Sequence, residues 1–393
     1  MNKKRILIFS LAYYPKFIGG AEVAIKEITD RLGSDFEFDM VTLRLDSDLP
    51  KVEKIGNVMV HRVGWAKKGA STHTLSTYLH LNKYAMLFTA FREASRLHKE
   101  HKYDAIWSIM ATYNSFAALF FKLRHADVPF LLTLQEGDPI PYIKRRALPL
   151  WPLFKLIFKK ADAIQAISHY LAGFAKDMGA TCPVIMVPNG VDIDLFARDY
   201  SQNEVDQIRL KFRKREDDIF LFSSSRLVTK NAVEDLVASM PLLPKNIKLI
   251  IAGKGDMESS LRKQSQMLGV ADRVHFIGWL SHADMPLYLR ACDIFIRTPI
   301  SEGFGNSYVE AMAAGVPCIA TPVGGIVDFL RDGETGIFAK VRDRESIANV
   351  VMELIRNPDL VSKIKRSALE MVMAKYDWKT VSEDMKKIFY ELL

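Results

Sequence analysis

A chain of 393 residues exceeds what one hydrophobic core usually organises, so two domains are the default. Hydrophobic residues at 49% and charged residues at 25% describe an ordinary globular protein, and no apolar run reaches membrane-spanning length. The net charge of +8 favours an anionic partner; without aromatic–basic interleaving of the RNA-binding kind or a DNA-reading module, nucleic acid is not expected to be that partner.

The start, Met1-Asn-Lys-Lys-Arg5, runs into an apolar stretch at Ile6–Leu11 that is too short for a signal-peptide core. Cys182, Cys292 and Cys318 have no metal-ligand spacing and read as buried thiols in a reducing compartment, so the expected location is cytoplasmic. Short apolar runs predict strands at Arg5–Leu11, Phe38–Leu43, Val58–Val63, Ala105–Met110, Phe130–Leu134, Ala163–Ser168 and Val184–Pro188. Between them the 3.6-residue period predicts helices at Ala21–Leu32, Lys83–Lys99 and His169–Met178. The stretch from Asn189-Gly190 to about Asp218 carries charge runs and no strand-type period, and marks a break.

The same grammar resumes with strands at Ile219–Ser224, Lys248–Ala252, Val274–Ile277, Asp293–Arg297 and Cys318–Thr321. Helices are predicted at Ala232–Met240, Met257–Leu268, Ala283–Ala291, about 306–314 and Glu345–Arg356, with a helical tail after Asp377-Trp378. Apolar strands alternating with amphipathic helices indicate parallel sheets covered on both faces. The fold class is therefore α/β, with two Rossmann-like domains and ligand held where strand C-termini face a crevice.

The most informative stretch runs from Arg297 to Pro317. A buried strand ends there in a loop, Ser301-Glu302-Gly303-Phe304-Gly305, and a helix opens at Asn306. Gly303 and Gly305 allow backbone N–H groups to approach a ligand, and the helix N-terminus suits a phosphate. Glu302 and Glu310 flank this anion site with seven residues between them. Carboxylates beside a phosphate repel it, so their expected partners are hydroxyls. A phosphate with hydroxyls on either side is a nucleotide sugar.

Three weaker patterns accompany it. Asp46-Ser-Asp48 and Asp192-Ile-Asp194 have the D-x-D form found at metal sites but no supporting context, so no metal is expected. His98 and His101 lack a third ligand and read as exposed helix residues. The run from Pro141 to Lys160 carries six basic residues, no acidic one, and Trp151, Phe154 and Phe158. It fits either a helix lying on an anionic membrane surface or a packed helix with a basic rim.

With these motifs in place, the chain resembles the retaining glycosyltransferases of the GT-B fold, in the large family 4 (group 1) class. The likeness is carried by Ser301-Glu302-Gly-Phe-Gly…Glu310-Ala-Met-Ala…Gly-Val-Pro317, by Ser225-Arg226-Leu-Val-Thr-Lys230 and by Ile251-Ala-Gly253-Lys-Gly255. Phe276-Ile-Gly278-Trp, Val187-Pro-Asn-Gly-Val-Asp192 and Ile319-Ala-Thr-Pro-Val-Gly-Gly325 extend it. The resemblance implies an acceptor-side domain at 1–190, a nucleotide-sugar domain at 191–375, a deep cleft between them, and a last helix, 376–393, crossing back to the first domain.

It also implies roles. Arg226 and Lys230 would clamp the donor diphosphate, stabilise the leaving nucleotide without a metal, and act with Glu302 as the catalytic set. Gly19 and Gly20 would offer a helix N-terminus to the donor phosphate from the opposite domain. Glu310 would hold the ribose hydroxyls, and Glu302 with Gly303, Phe304, Gly305 and Asn306 the hexose. Gly253 and Gly278 would line the donor site, Gly278 near the base. Where many relatives carry His after the strand Phe130–Leu134, this chain has Gln135-Glu136-Gly-Asp138. Gln135 can hydrogen-bond a hydroxyl on the acceptor side, and Glu136 or Asp138 could take a proton there.

The implied reaction moves a hexose from a UDP- or GDP-linked sugar, as co-substrate and with no further cofactor, to an acceptor hydroxyl with retention. The expected acceptor is a lipid-linked or cell-envelope glycan precursor in polysaccharide biosynthesis. The enzyme would then work in the cytoplasm at the inner face of the membrane, touching anionic lipid through 141–160. Two rivals stay open: a GT-B-fold nucleotide-sugar epimerase or phosphorylase, and a catalytically silent partner subunit.

Overall fold

The apolar runs assemble into two sheets, one in each of two units: Met1–Asn189 with Trp378–Leu393, and Gly190–Asp377. The structure, a computed structural model, describes residues 3–69 and 77–393.

In the first unit, strands β1 (Lys4–Phe9), β2 (Phe36–Leu43), β3 (Val52–Ile55), β4 (Val58–Val63), β5 (Ala105–Ile109), β6 (Phe130–Leu134), β7 (Ala163–Ala166) and β8 (Val184–Met186) form one sheet. Their order is β3-β4-β2-β1-β5-β6-β7-β8. All neighbours are parallel except β3, which pairs antiparallel with β4. The central strands are buried from end to end, as in β5 and β6, because helices cover both faces. That continuity is why they are legible as apolar runs. The edge strand β3 was not anticipated, because Val-Glu-Lys-Ile is short, half polar and half exposed.

Two helices close one face of this sheet. Helix Gly20–Arg31 buries Ala21, Ala24, Ile25 and Ile28, and the last helix, Trp378–Leu392, buries Trp378, Val381, Met385, Ile388 and Phe389 beside it. The Phe389 ring lies 5.4 Å from that of Phe36 and 5.3 Å from that of Trp107.

The second unit carries β9 (Ile219–Ser224), β10 (Ile247–Ala252), β11 (Val274–Gly278), β12 (Ile294–Ile296), β13 (Cys318–Ala320) and β14 (Ile337–Phe338), in the order β11-β10-β9-β12-β13-β14. Every pairing is parallel. One core joins Leu221, Leu249, Ile251 and Ile294 to Leu236 and Val237 of helix Val233–Ser239 and to Ile347 and Val351 of helix Arg344–Arg356.

Several local expectations are corrected. The run 141–160 is two helices, Ile140–Ala147 and Trp151–Lys160, separated by a 3-10 turn at Leu148–Leu150. Pro149 and Pro152 remove two backbone donors there, which interrupts a continuous helix. The break region holds a helix, Gln202–Lys211, opened by a Ser201–Glu204 capping box. His98 is buried, not exposed: its ring lies 5.3 Å from that of Phe121, and its Nδ1 accepts the Tyr103 N–H at 3.1 Å.

Both D-x-D aspartates have structural partners. Asp192 caps helix Ile193–Phe196 by accepting the Leu195 N–H at 3.0 Å. Asp46, fully buried, holds the Lys16 ammonium at 2.6 Å and the Asp48 N–H at 2.9 Å.

Candidate functional site

In the second unit, the C-terminal ends of β9 and β12 each release a loop. After β12, Arg297 to Gly305 leads into helix Asn306–Ala313, with Gly305 at the N-cap in a left-handed conformation (φ +105°). Arg297 organises this loop. It is 7% exposed, and its Nη2 donates to Glu302 Oε2 at 2.9 Å, while Nη1 donates to Ser307 Oγ at 2.7 Å. Its guanidinium carbon sits 5.3 Å from the centre of the Tyr308 ring, and Tyr308 returns its hydroxyl to the Arg297 carbonyl at 2.7 Å. Burial works to lower the Arg297 pKa, but the charge and hydrogen bond of Glu302, with Tyr308 and Glu310 nearby, together outweigh it and hold the guanidinium more firmly protonated than usual.

Glu302 is thus oriented by a buried cation on one oxygen and by the Gly303 N–H on the other, at 3.1 Å. Its main chain is pinned as well. The Glu302 carbonyl accepts the Gly325 N–H at 3.2 Å, and Gly324 packs so closely on it that a Cβ there would lie 1.8 Å from that oxygen. Glu310, on the helix, has Oε1 3.5 Å from His282 Nε2. The Phe304 ring, expected at the donor, is instead 2% exposed and packs 5.1 Å from Phe329 and 5.7 Å from Tyr376. As a core residue it can contribute only main chain to a ligand.

The loop after β9 carries Arg226, exposed, and Lys230, half-buried. Backbone bonds bind it to its neighbours. The Ile300 N–H donates to the Lys230 carbonyl at 2.9 Å, and Asn231 Nδ2 donates to the Arg226 carbonyl at 2.7 Å. Asn231 Oδ1 also accepts Arg297 Nη2 at 3.4 Å, so one buried amide joins the Arg226–Lys230 loop to the Glu302 loop. Gly253 follows β10 and Gly278 ends the adjacent β11, where the Gly253 N–H donates to the Gly278 carbonyl at 2.7 Å. The fold therefore brings Arg226, Lys230, Gly253, Gly278, Glu302 and Asn306 to the C-terminal edge of one sheet, with Glu310 on the helix that follows. Arg297, Asn231, Ser307 and His282 escaped the sequence reading. Arg297 stood in the key stretch, yet nothing local singled out its partners.

In the first unit, Gly19 and Gly20 are exposed at the start of helix Gly20–Arg31. The Gly19 N–H is taken by the chain's own Glu22 carboxylate at 2.8 Å, so an incoming anion must displace that carboxylate. At the end of β6, Gln135 Oε1 accepts Asn189 Nδ2 at 3.4 Å, and Asp138 lies half-buried three residues further along. Glu136 is 5% exposed. Its Oε1 accepts the Ala111 N–H at 2.6 Å, tying the loops after β5 and β6 together, and its Oε2 is buried with no hydrogen-bond partner among the described residues. Burial pushes its carboxyl up to about 7, against backbone N–H groups from Ala111, Glu136 and Gln135 that pull it down. Glu136 thus faces inward, as a brace between loops. Among the described residues, no three His, Cys, Asp or Glu side chains are grouped to hold a metal ion.

Comparison with known proteins agrees with this architecture. Residues 18–195 match the model for Glycosyltransferase Family 4, and residues 204–371 match that for Glycosyl transferases group 1. A GDP-mannose-dependent alpha-(1-6)-phosphatidylinositol monomannoside mannosyltransferase of Mycobacterium tuberculosis is 27% identical over 302 residues, 73% of this chain and 76% of the relative. An uncharacterised glycosyltransferase of Methanocaldococcus jannaschii is 25% identical over the full length of both chains. Sucrose-phosphate synthase from Thermosynechococcus elongatus superposes with a TM-score of 0.83 at 20% identity, covering 99% of each chain. Anabaena HepE in complex with UDP-glucose gives 0.80 at 18% identity, covering 99% of this chain and all of the other. The two family matches between them take in nearly all of both units, and the chain belongs to the family 4, group 1 glycosyltransferases of the GT-B fold.

Proposed function

We propose that the protein is a retaining hexosyltransferase that uses a UDP- or GDP-linked sugar. The observation that carries this reading is the joining of two loops through Asn231 and Arg297. It keeps a cationic pair, Arg226 and Lys230, on the same sheet edge as a fixed carboxylate, Glu302, and a helix N-terminus. Arg226 and Lys230 hold the donor diphosphate and stabilise charge on the departing nucleotide, a task that needs no metal in this arrangement. Glu310 accepts from the ribose hydroxyls. Glu302 and the main chain of 303–306 hold the hexose, and the acceptor attacks from the face the nucleotide leaves, its proton passing to the leaving phosphate. UDP-glucose on the Anabaena structure and GDP-mannose in the mycobacterial relative's name support a nucleotide-sugar donor.

On the acceptor side we place Gln135 and Asp138, with Glu136 behind them. The mycobacterial relative's name, a phosphatidylinositol monomannoside mannosyltransferase, supports a lipid-linked acceptor. In this reading the acceptor is met at the inner face of a membrane, with lipid contact through the basic run 141–160.

The test is sugar transfer and donor-induced thermal stabilisation with the full chain. Glu302→Gln keeps an acceptor for Arg297, so the fold survives while transfer is abolished. Arg226→Ala with Lys230→Ala removes two charge contacts, each worth about 3 kcal/mol in the transition state. Near-normal turnover in both variants defeats the assignment.

A further inference from the structure

Helix Thr77–His101 changes character along its length. At its C-terminal end Arg96 pairs with Glu93 and Glu100, as a solvated helix should. Nearer its start, the outward stripe at i, i+3 and i+7 is Leu81, Tyr84 and Phe88, exposed by 57%, 53% and 67%. The inward stripe, Met86, Ala90, Ala94 and Leu97, already fills the core side, so the outer apolar stripe is surplus to folding.

That stripe continues across neighbouring helices. Phe88 stacks on Phe120 at 6.0 Å, and Tyr84 meets Tyr113 edge-on at 5.1 Å, both from helix Tyr113–Arg124. The Arg146 guanidinium lies 5.9 Å from the Tyr113 ring and 5.5 Å from Tyr142, and beyond them Leu148 is 62% exposed. Segments 81–92, 113–124 and 140–160, which build this face, contain no Asp or Glu at all. Apolar and aromatic side chains exposed among cations, in segments that carry no acidic residue, match the headgroup layer of an anionic bilayer. A second copy of the chain would bring the same cations against each other, which disfavours self-association through this face. Among the described residues no helix is long and apolar enough to cross a membrane, so the contact is with one leaflet.

We propose that this face, centred on Leu81, Tyr84, Phe88, Tyr142, Arg146 and Leu148, seats the protein on an anionic lipid surface. It deepens the lipid-acceptor reading, extending the contact from 141–160 onto helix Thr77–His101, and it rests on that reading only for what the membrane presents to the site. Binding itself is measured without turnover.

The test is flotation of the full chain with phosphatidylcholine vesicles, with and without phosphatidylglycerol, at low and high ionic strength. Binding is expected only with phosphatidylglycerol, and it should weaken as salt rises. Neutralising one surface cation costs about fivefold in partitioning, so Lys144→Gln with Arg145→Gln and Arg146→Gln should lose about a hundredfold. Leu81→Ser with Phe88→Ser, at exposed positions, should lose at least about tenfold. Both variants should keep wild-type donor-induced thermal stabilisation and transfer to a soluble acceptor. Absence of binding to phosphatidylglycerol vesicles, or equal binding by both variants and wild type, overturns the proposal. So does a dimer in light scattering that Leu81→Ser with Phe88→Ser dissolves. Vesicle binding without sugar transfer would instead sink the enzymatic reading and leave this surface standing.

Discussion

The buried carboxyl of Glu136 makes a stability prediction whose sign is fixed. Its ordinary value of 4.5 is pushed to about 7 by burial in the folded state, and a gap of that size corresponds to about 3 kcal/mol. A folded-state value above the unfolded one means that the neutral group stabilises. The contribution is complete below the unfolded value and is lost as pH climbs through about 7. Between pH 5 and pH 8 the first unit should therefore lose most of those ~3 kcal/mol, roughly 5–10 °C in melting temperature for a unit of this size. Glu136→Gln stays neutral at every pH. Its Oε1 can still accept the Ala111 N–H, while the amide nitrogen leaves an unpaired donor where Oε2 was. That donor costs about 1–3 kcal/mol, equally at both pH values, so the variant changes the level and removes the slope. Differential scanning calorimetry of both proteins at the two pH values reads the difference of differences, in which other titrating groups cancel. Parallel pH dependences in wild type and variant would refute the reasoning.

Three further substitutions test packing. Gly324→Ala should cost more than about 2 kcal/mol, because at φ +56° its Cβ would lie 1.8 Å from the Glu302 carbonyl. Gly333→Ala, at φ +67° with open space around it, carries the backbone strain alone, and equal urea midpoints for the two would discount the close contact. Phe389→Ala should cost about 3–5 kcal/mol in urea unfolding, since its ring is wholly buried against Phe36, Phe38 and Trp107. A loss below about 1 kcal/mol would mean that the last helix adds little to the first unit's core.

What the sequence discloses depends on whether a signal is local. Strands β1, β5, β6, β9 and β10 are buried on both faces, so each is a run of adjacent apolar letters and can be read without knowing its neighbours. The Glu302–Glu310 loop is legible for the same reason: glycines, carboxylates and a helix start lie within a dozen residues. Arg297 was not legible as an organiser, because Asn231, one of its partners, is 66 positions away in the chain. His282 beside Glu310 has the same difficulty. Phe304 misled in the opposite direction. The family resemblance implies a donor contact for it, and only the neighbouring Phe329 and Tyr376 rings reveal that it belongs to the core. The outer stripe of helix Thr77–His101 was missed because exposed and buried apolar residues look alike until the core side is known.

Arg297 also resolves a tension in the site's charge. A carboxylate placed beside a diphosphate should weaken donor binding, yet Glu302 stands next to the helix N-terminus that suits the phosphate. Pairing with a buried guanidinium at 2.9 Å cancels the net charge while leaving Glu302 fixed as a hydrogen-bond acceptor. The consequence is a pair of opposite expectations. Glu302→Gln leaves Arg297 uncompensated and adds one positive charge, so UDP or GDP should bind as tightly as to wild type or tighter, even though transfer fails. Arg297→Gln leaves Glu302 uncompensated, and the same nucleotide should bind more weakly. For charges about 10 Å apart at an effective dielectric of ~20, each shift is on the order of 1–2 kcal/mol, about tenfold in Kd. Titration calorimetry with the nucleotide alone reads both without any acceptor. If the two variants moved the affinity in the same direction, Arg297 would be a structural strut and not the counter-charge that lets a carboxylate work beside a phosphate.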